Sequence, residues 1–353
     1  MGRLNLQAVH ALAERAGIGA AREIVPLAGG ANNRVARLDT ETDSYLVKSY
    51  FRHPDDPRDR LGAEYAFSQF AWNQGVRCIP RPVACDMEAG LALFEFIAGT
   101  SLAGCTIGRA EVDQALAFFR GLNRSSKEPD AARLPRASES CLSLNDHFHT
   151  VSRRVERLQN IAGEADVDRA AAVFAADLAA AWERIQAKAR ATAASSCLPT
   201  EPPLPAGERC LSPSDFGFHN AIRAADGLLR FIDFEYAGWD DPAKLICDFF
   251  CQPAVPAPIE WFDGFAGSVA NAFPSSGIHV ARASLLLPVY RVKWVCIMLN
   301  EFLPVGGRRR GFSGTPEELD ARKTTQLAKA KAALAMLQLH SPVSSQLCTR
   351  KVA

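Results

Sequence analysis

Three polar side chains in the stretch 211–242 could together do chemistry on a phosphate. Asp215 and Asn220 stand five residues apart, and Asp233 follows the apolar run 228–232. Transfer of a γ-phosphoryl group needs a carboxylate that orients, and can deprotonate, the attacking hydroxyl, together with oxygen ligands that hold Mg²⁺ on the phosphates. A tight loop could point Asp215 at the acceptor and Asn220 at the metal, while Asp233 would be a second, strand-anchored ligand. The pattern predicts magnesium-assisted phosphoryl transfer.

Each of these residues also has an ordinary structural explanation. Asp215 could cap a turn, Asn220 could begin a strand and Asp233 could cap a helix, because turns favour Asp and Asn. These explanations do not account for the combination of a polar D-x4-N motif with a strand-terminal Asp in one hairpin, residues 220–233. We interpret His219, inside the D-x4-N motif, as a packing residue of the loop rather than a catalyst.

A second group, near the amino terminus, could hold a nucleotide. Gly29, Gly30 and Asn32 lie between two predicted strands, where backbone amides could cover phosphates, although a hairpin turn explains the same residues. Lys48 lies on the next predicted strand, and Glu64 on the following helix is a carboxylate that could pair with it. The alternative is an exposed edge-strand lysine and an unrelated surface glutamate. The order of the whole set along the chain favours the functional interpretation.

The hydrophobic pattern predicts the elements that must position these residues. Alternation of apolar residues predicts five antiparallel strands, near 23–27, 34–39, 44–49, from 80 and 91–96. Strand signals stop at 98–100, and apart from two short strands around Asp226-Gly227 the pattern beyond is helical. The residues after 341 are predicted to be disordered.

Composition excludes several other functions. The formal charge of +1 over 353 residues gives no electrostatic argument for a nucleic acid or an anionic membrane as partner. The ten cysteines show no CxxC pair and no metal-ligand spacing. The most apolar run, 285–299, is interrupted by Pro288, Arg291 and Lys293, which predicts a buried helix rather than a membrane span. We expect a cytoplasmic protein.

Taken together, the motifs resemble the aminoglycoside phosphotransferase and choline kinase families of the protein-kinase-like superfamily. The pattern of these families is His-Gly-Asp-x4-Asn, a strand ending in Ile-Asp-Trp/Phe-Glu, then Gly-Asp-Pro and a further Asp. This chain has Ser-Asp-Phe-Gly-Phe-His-Asn at 214–220, Phe-Ile-Asp-Phe-Glu at 231–235, Asp-Asp-Pro at 240–242 and Asp248. It departs from the pattern at Pro213-Ser214, where the families usually have His-Gly.

The resemblance implies a role for each matched residue. Asp215 resembles the catalytic base, and Asn220 and Asp233 resemble the magnesium ligands. Asp248 resembles a structural carboxylate that braces the catalytic loop. The hinge, whose backbone groups would receive adenine, is matched by Glu95, Phe96 and Ile97.

The resemblance also implies an α+β, bilobal protein-kinase-like fold. We expect a small lobe, residues 1–98, with a five-stranded antiparallel sheet, and a larger, mainly helical lobe, residues 99–340, followed by the tail 341–353. The implied reaction is ATP- and Mg²⁺-dependent phosphorylation of a hydroxyl on a small molecule such as a sugar or amino alcohol. Candidate acceptor-binding residues are Glu235, Asp240, Tyr290, Arg291 and Trp294.

Positive charge at Arg291 and Lys293 makes a polycationic aminoglycoside a less favoured acceptor than a neutral or anionic metabolite.

Two alternatives to a small-molecule kinase remain. One is a pseudokinase that binds nucleotide or acts as a scaffold without turnover, because the His-Gly pair is missing. The other is a metal-dependent hydrolase that uses Asp215 and Asp233 and needs no ATP.

Overall fold

The computed structural model describes residues 4–27, 33–50, 52, 58–303 and 316–339. The chain divides into two compact units: unit 1 is Met1–Thr150 with Thr192–Leu287, and unit 2 is Val151–Ala191 with Pro288–Ala353. The helices are α1 Leu6–Arg15, α2 Arg60–Asn73, α3 Arg109–Arg124, α4 Leu144–Leu158, α5 Asp166–Ser195, α6 Pro242–Cys251, α7 Phe262–Ala270, α8 Ser276–Met298 and α9 Pro316–Leu339. The lobe boundaries expected from the sequence, at 98 and 340, stay predictions.

The strands are β1 Glu23–Pro26, β2 Asn33–Asp39, β3 Ser44–Tyr50, β4 Pro82–Asp86, β5 Leu91–Glu95, β6 Gly99–Ser101, β7 Cys210–Ser212, β8 Ala221–Ala224, β9 Leu229–Phe231 and β10 Gly238–Asp240. The first five form an antiparallel sheet in the order β1-β2-β3-β5-β4. At its centre Val47 of β3 lies opposite Ala36 of β2 and Leu93 of β5. The predicted five-stranded sheet is confirmed.

The two faces of this sheet carry different helices, because successive strand residues point to opposite sides. Val9 of α1 packs on the face that carries Val47. Leu61 of α2 packs on the other face, against Tyr50. Lys48, two residues before Tyr50, therefore points towards α2. The alternation that places Val47 in the core on one face of the sheet also directs the Lys48 side chain to the opposite face.

A second, three-stranded sheet has the order β6-β8-β9. In it Gly99 lies opposite Ala224. A Cβ at Gly99 would lie 2.3 Å from the carbonyl oxygen of Arg223, so this close approach of two backbones requires glycine. The prediction that strand structure stops at 98–100 was wrong, because a three-residue strand with a distant partner is too short to show alternation. The two short strands expected around Asp226-Gly227 are present as β8 and β9.

Aromatic side chains anchor the loop 213–220 to the core of unit 1. The ring centroid of Phe249, on α6, lies 5.0 Å from that of Phe216 and 5.1 Å from that of Phe218. Phe249 also stacks on Phe265 of α7 at 4.8 Å. Alternate loop residues thus point into the core, which leaves Asp215, Gly217 and His219 to point elsewhere.

A buried charge cluster stabilises the start of α6. Asp241 is the N-cap, and its Oδ1 accepts a hydrogen bond from the Ala243 amide at 2.7 Å. Its Oδ2 lies 3.0 Å from His147 Nε2 and accepts a hydrogen bond from Arg282. All three charged side chains are buried. Burial alone would raise the pKa of Asp241, but Arg282 and His147 hold it well below its ordinary value.

This cluster predicts a loss of stability at alkaline pH. Burial by itself lowers the pKa of His147, but Cys141 and Asp241 raise it to about 9 from 6.5. The stabilisation is therefore complete below pH 6.5 and disappears as the pH rises through about 9, a loss of roughly 3 kcal/mol at 1.36 kcal/mol per pKa unit. Urea unfolding at about pH 6 and about pH 9.5 measures it. His147→Gln should lose less free energy of unfolding over this interval than the wild type; equal losses would contradict the prediction.

Unit 2 is helical in its described part. Within it, Trp182 Nε1 donates to Ser152 Oγ at 3.0 Å, and Lys323 forms a 2.8 Å ion pair with Asp168. The tail 341–353 lies outside the described residues.

One described helical stretch, Ser276–Phe302, is long and apolar enough to cross a membrane. Of its most apolar window, 61% is buried inside the protein, as in a core helix. The sequence-based interpretation of this stretch as a buried helix agrees with that burial.

Candidate active site

Lys48 is the centre of a buried network between β3 and α2. Its Nζ lies 2.6 Å from Glu64 Oε2, the pair that the sequence predicted. The same Glu64 oxygen accepts a 2.6 Å hydrogen bond from the hydroxyl of Tyr50. Glu64 Oε1 accepts a further bond, at 3.2 Å, from the amide of Phe234. Burial raises the pKa of Glu64 above its ordinary value, while Lys48 and the hydroxyl of Tyr50 act in the opposite direction and favour the ionised carboxylate.

Lys48 also contacts Asp233, through Oδ1 of that carboxylate. Burial alone would lower the pKa of Lys48, but the two carboxylates Glu64 and Asp233 raise it above its ordinary value. Lys48 therefore remains an ammonium. The Lys48 side chain is 6% exposed, whereas that of Asp233 is 37% exposed. The lysine is therefore enclosed by protein, while the Asp233 carboxylate is accessible to solvent.

Glu235, two residues after Asp233, is bound from the amino-terminal sheet and from α2. Asn33, the first residue of β2, donates from Nδ2 to Glu235 Oε2 at 2.7 Å. Arg60, the first residue of α2, lies 3.9 Å from the same oxygen. The Glu235 side chain is 3% exposed. Residues of β2 and α2 therefore hold Glu235 in the protein interior, and its contact with an acceptor stays a prediction.

The loop before Asp215 has an unusual backbone at Ser214, whose φ is 67°. This left-handed conformation favours glycine, and it occurs where the resembling families have glycine. Two hydrogen bonds close the turn: Ser214 N donates to Ser212 Oγ at 3.0 Å, and Asp215 N donates to the Pro213 carbonyl at 3.0 Å. Ser214 therefore adopts, without being a glycine, a backbone conformation that favours glycine.

Ser214→Gly should stabilise the protein by about 0.5–1 kcal/mol. The left-handed backbone costs a non-glycine residue roughly 1–2 kcal/mol, which outweighs the extra entropy that glycine loses on folding. Denaturant unfolding measures the change, with Ser138→Gly as the control at an ordinary site. We expect unchanged turnover. A destabilised Ser214→Gly would contradict the strained geometry.

The hairpin β8–β9 joins the other two predicted residues. Asn220 precedes β8, and its carbonyl accepts a 2.9 Å hydrogen bond from the amide of Ile232, next to Asp233. Asn220 Nδ2 donates to the carbonyl of Asp215 at 3.0 Å. Asp233 itself has φ 68°, a second strained residue in the site. Asp215, Asn220, Asp233 and Lys48 are therefore linked by a continuous chain of contacts.

The residues of this hairpin fit a magnesium ion bound together with a phosphate. Asn220 and Asp233 offer amide and carboxylate oxygens, which are hard ligands of the kind that Mg²⁺ takes. Because Nδ2 of Asn220 donates to the carbonyl of Asp215, the amide oxygen of Asn220 would be the atom available to a magnesium ion. Among the described residues no group of three or more His, Cys, Asp and Glu could hold a metal. An ion here would complete its shell with phosphate oxygens and water, as Mg²⁺ commonly does.

The predicted hinge residues differ in what their amides already bind. Glu95 N donates to the carbonyl of Arg81 at 2.8 Å, and Phe96 N donates to the carbonyl of Ser44 at 3.3 Å. Ile97 N makes no hydrogen bond within the described residues. Of the three amides, that of Ile97 is the one that can donate to a ligand.

The other residues predicted for the site fall into two groups. Gly29, Gly30 and Asn32 lie outside the described residues. Asp240 is fully buried, with its Oδ2 2.8 Å from Lys244 Nζ, and Lys244 also pairs with Asp248 at 3.3 Å.

The last three acceptor candidates lie in unit 2. Tyr290 is 2% exposed, with Lys293 Nζ 4.8 Å from its ring centroid, and Arg291 and Trp294 are partly buried. Their contact with an acceptor stays a prediction.

Comparison with known proteins gives this network a context. The model of the phosphotransferase enzyme family, APH, matches residues 23–272, which include every residue of the network. The chain belongs to this family. No curated protein sequence matches the chain.

Solved structures show that this APH family member has a protein-kinase-like fold. The choline kinase LicA from Streptococcus pneumoniae has a TM-score of 0.57 and 15% identity, over 94% of this chain and 100% of that chain. The spectinomycin phosphotransferase APH(9)-Ia, solved with ADP and spectinomycin, has a TM-score of 0.56 and 14% identity, over 93% and 98%. A Plasmodium vivax ethanolamine kinase has a TM-score of 0.52 and 15% identity, over 95% and 85%.

Sequence reasoning missed three residues of the APH network. Tyr50 lies one residue beyond the predicted strand 44–49, although its spacing of two from Lys48 places both on one face. No local signal links Asn33 or Arg60 to their common partner Glu235, which lies 202 positions after Asn33.

Proposed function

We propose that the protein is a small-molecule kinase that transfers the γ-phosphoryl group of ATP to a hydroxyl. The observation that carries the proposal is the double contact of Lys48 with Glu64 and Asp233. This contact places the Lys48 ammonium beside the solvent-accessible carboxylate of Asp233. The ammonium can bind phosphate oxygens, and the carboxylate can bind a metal ion on those phosphates. The solved relatives that bind ADP or AMP-PNP support a nucleotide as donor.

In the proposed reaction Asp215 orients the attacking hydroxyl and takes its proton as the new phosphate ester bond forms. The acceptor oxygen bonds to the γ-phosphorus, the bond to the bridging oxygen breaks, and ADP leaves. Lys48 neutralises phosphate charge, and the Ile97 amide binds the adenine edge. Magnesium, when held by Asn220 and Asp233, would supply charge neutralisation on the phosphates. Catalysis is then mostly positioning and electrostatic stabilisation.

We propose a hydroxylated metabolite such as an amino alcohol or a sugar as acceptor. The structural relatives named for choline and ethanolamine are consistent with an amino alcohol, while others are named for aminoglycosides. These likenesses, at 13–15% identity, support the fold and leave the acceptor to experiment.

The test is a panel of hydroxylated compounds with MgATP. ADP release in a coupled assay, together with a phosphate monoester detected by phosphorus NMR, supports a kinase. Normal MgATP binding without transfer to any acceptor would instead support a pseudokinase. Cleavage of a substrate without ATP would support a metal-dependent hydrolase. A MgATP-induced rise in melting temperature that Asp233→Ala abolishes would count against the hydrolase.

A further inference from the structure

His219 lies against the carboxylate of Asp215. A 3₁₀ turn over Phe218–Asn220, which contains His219, forms the end of the loop 213–220. His219 Nε2 lies 3.2 Å from Asp215 Oδ1. The His219 side chain is 18% exposed and that of Asp215 is 37% exposed, so the histidine is the less solvent-accessible partner of the pair.

The hydrogen bond fixes the tautomer of this histidine. An ionised carboxylate only accepts hydrogen bonds, so the proton must be on Nε2 of His219. The other ring nitrogen, Nδ1, is buried and has no partner within the described part of the chain. An unpaired Nδ1 acceptor is compatible with the neutral ring, whereas an Nδ1–H would be an unpaired buried donor. Within the described residues, the neutral His219 ring donates one hydrogen bond, from Nε2 to the carboxylate of Asp215.

Gly217 makes room for this ring. A Cβ at Gly217 would lie 2.8 Å from His219 Nδ1 and 3.1 Å from its Cε1. Its backbone is extended, so the requirement for glycine comes from the neighbouring imidazole rather than from φ. Phe216 and Phe218, on either side, are held in the aromatic core. The imidazole of His219 therefore occupies a space that residues of its own loop leave for it.

Asp215 is consequently held at two points by consecutive residues. Asn220 Nδ2 binds its carbonyl at 3.0 Å, and His219 binds its carboxylate. The His-Gly pair that precedes this aspartate in the resembling families is Pro213-Ser214 here. The sequence supplies a histidine after the aspartate rather than before it.

We propose that His219 is a positioning residue that fixes the carboxylate of Asp215 for the acceptor hydroxyl; this rests on the function proposed above. The interpretation of His219 as loop packing, made from sequence, is replaced by this role. A carboxylate that rotates away from the acceptor loses alignment, and small misplacements of a reacting group cost up to about 100-fold in rate.

Glutamine and asparagine at position 219 distinguish the hydrogen bond to Asp215 from the packing of the His219 side chain. The terminal nitrogen of glutamine can occupy the place of Nε2, whereas the shorter asparagine reaches only the place of Nδ1. His219→Gln should retain kcat within about threefold, while His219→Asn should lower kcat roughly 10–100-fold. The KM for ATP should change little in both. Equal kcat values for the two variants, or a loss seen in KM alone, would overturn the proposal.

Gly217→Ala tests the same contact without removing the histidine, because the added Cβ displaces the ring. It should lower kcat like His219→Asn, and combining it with His219→Asn should lower kcat little further. Additive losses would contradict a shared contact. Melting temperatures of all variants identify any that fail to fold.

A readout that needs no turnover distinguishes this inference from the proposed function. Proton–nitrogen correlation NMR of isotope-labelled histidine should show His219 as a single Nε2–H tautomer, which becomes mixed in Asp215→Ala. If the wild type phosphorylates no acceptor, the proposed function fails while the NMR result still decides whether His219 holds Asp215. An unchanged His219 signal in Asp215→Ala would overturn the contact itself.

Discussion

Asp215→Asn is expected to reduce phosphoryl transfer about 10²–10⁴-fold while leaving MgATP affinity nearly unchanged. The amide keeps the shape of the carboxylate and can still meet the His219 ring, but it cannot accept the proton of the attacking hydroxyl. The nucleotide-binding contacts proposed for Lys48 do not pass through this side chain. Single-turnover transfer rates, with nucleotide affinity from calorimetry, measure the two effects separately.

Asp113→Asn is the matched control for this substitution. Asp113 is a carboxylate on α3 with a side chain 57% exposed, and its ion pair with Arg109 is a surface pair. It should leave both rate and affinity unchanged. An Asp215→Asn protein that retained more than about a tenth of the wild-type rate would remove Asp215 from the role of base.

Asp241→Ala is expected to destabilise the protein by about 3–5 kcal/mol, the largest effect on folding among the substitutions considered. It leaves Arg282, whose side chain is 2% exposed, buried without its carboxylate partner, and it removes the N-cap of α6. A loss of this size is a large fraction of the roughly 5–15 kcal/mol that stabilises a typical domain. Denaturant unfolding, with expression level as a coarse check, measures it.

Asp241→Asn separates the charge from the cap, because an asparagine oxygen still accepts the Ala243 amide. It should cost less than Asp241→Ala, by roughly the 0.5–2 kcal/mol that an N-cap contributes. Asp226→Ala, at an exposed turn, serves as the control and should cost far less than Asp241→Ala, because an exposed ion pair contributes little to stability. If Asp241→Ala and Asp226→Ala cost the same, the cluster is not stabilising the fold.

The sequence predicted the parts whose signal is local. Alternation over four to seven residues revealed the strands and placed Lys48 on one of them, and the helical spacing of apolar residues placed Glu64 on the next helix. The short spacings among Asp215, Asn220 and Asp233 revealed the hairpin. In each case the information lies within one element or between neighbouring elements.

What the sequence did not reveal depends on partners far away in the chain. The strand Gly99–Ser101 has no pattern of its own and is defined by its pairing with β8. The burial of Glu235 was not predicted because its partners, Asn33 and Arg60, lie far earlier in the chain. The backbone of Ser214 was invisible because a serine gives no sign of a left-handed conformation. Burial and backbone strain are properties of the assembled fold.

The pairing of β6 with β8 orders events during synthesis. Gly99–Ser101 leaves the ribosome more than a hundred residues before its partner Ala221–Ala224. A nascent chain that has only just emerged past the first sheet already carries Lys48 and Glu64, but neither Asn220 nor Asp233. Because long-range strand pairing waits for the intervening chain to collapse, the hairpin proposed to bind the metal is added late. A stalled or truncated chain thus has the proposed nucleotide-side residues of the site without the residues proposed to act on the phosphate.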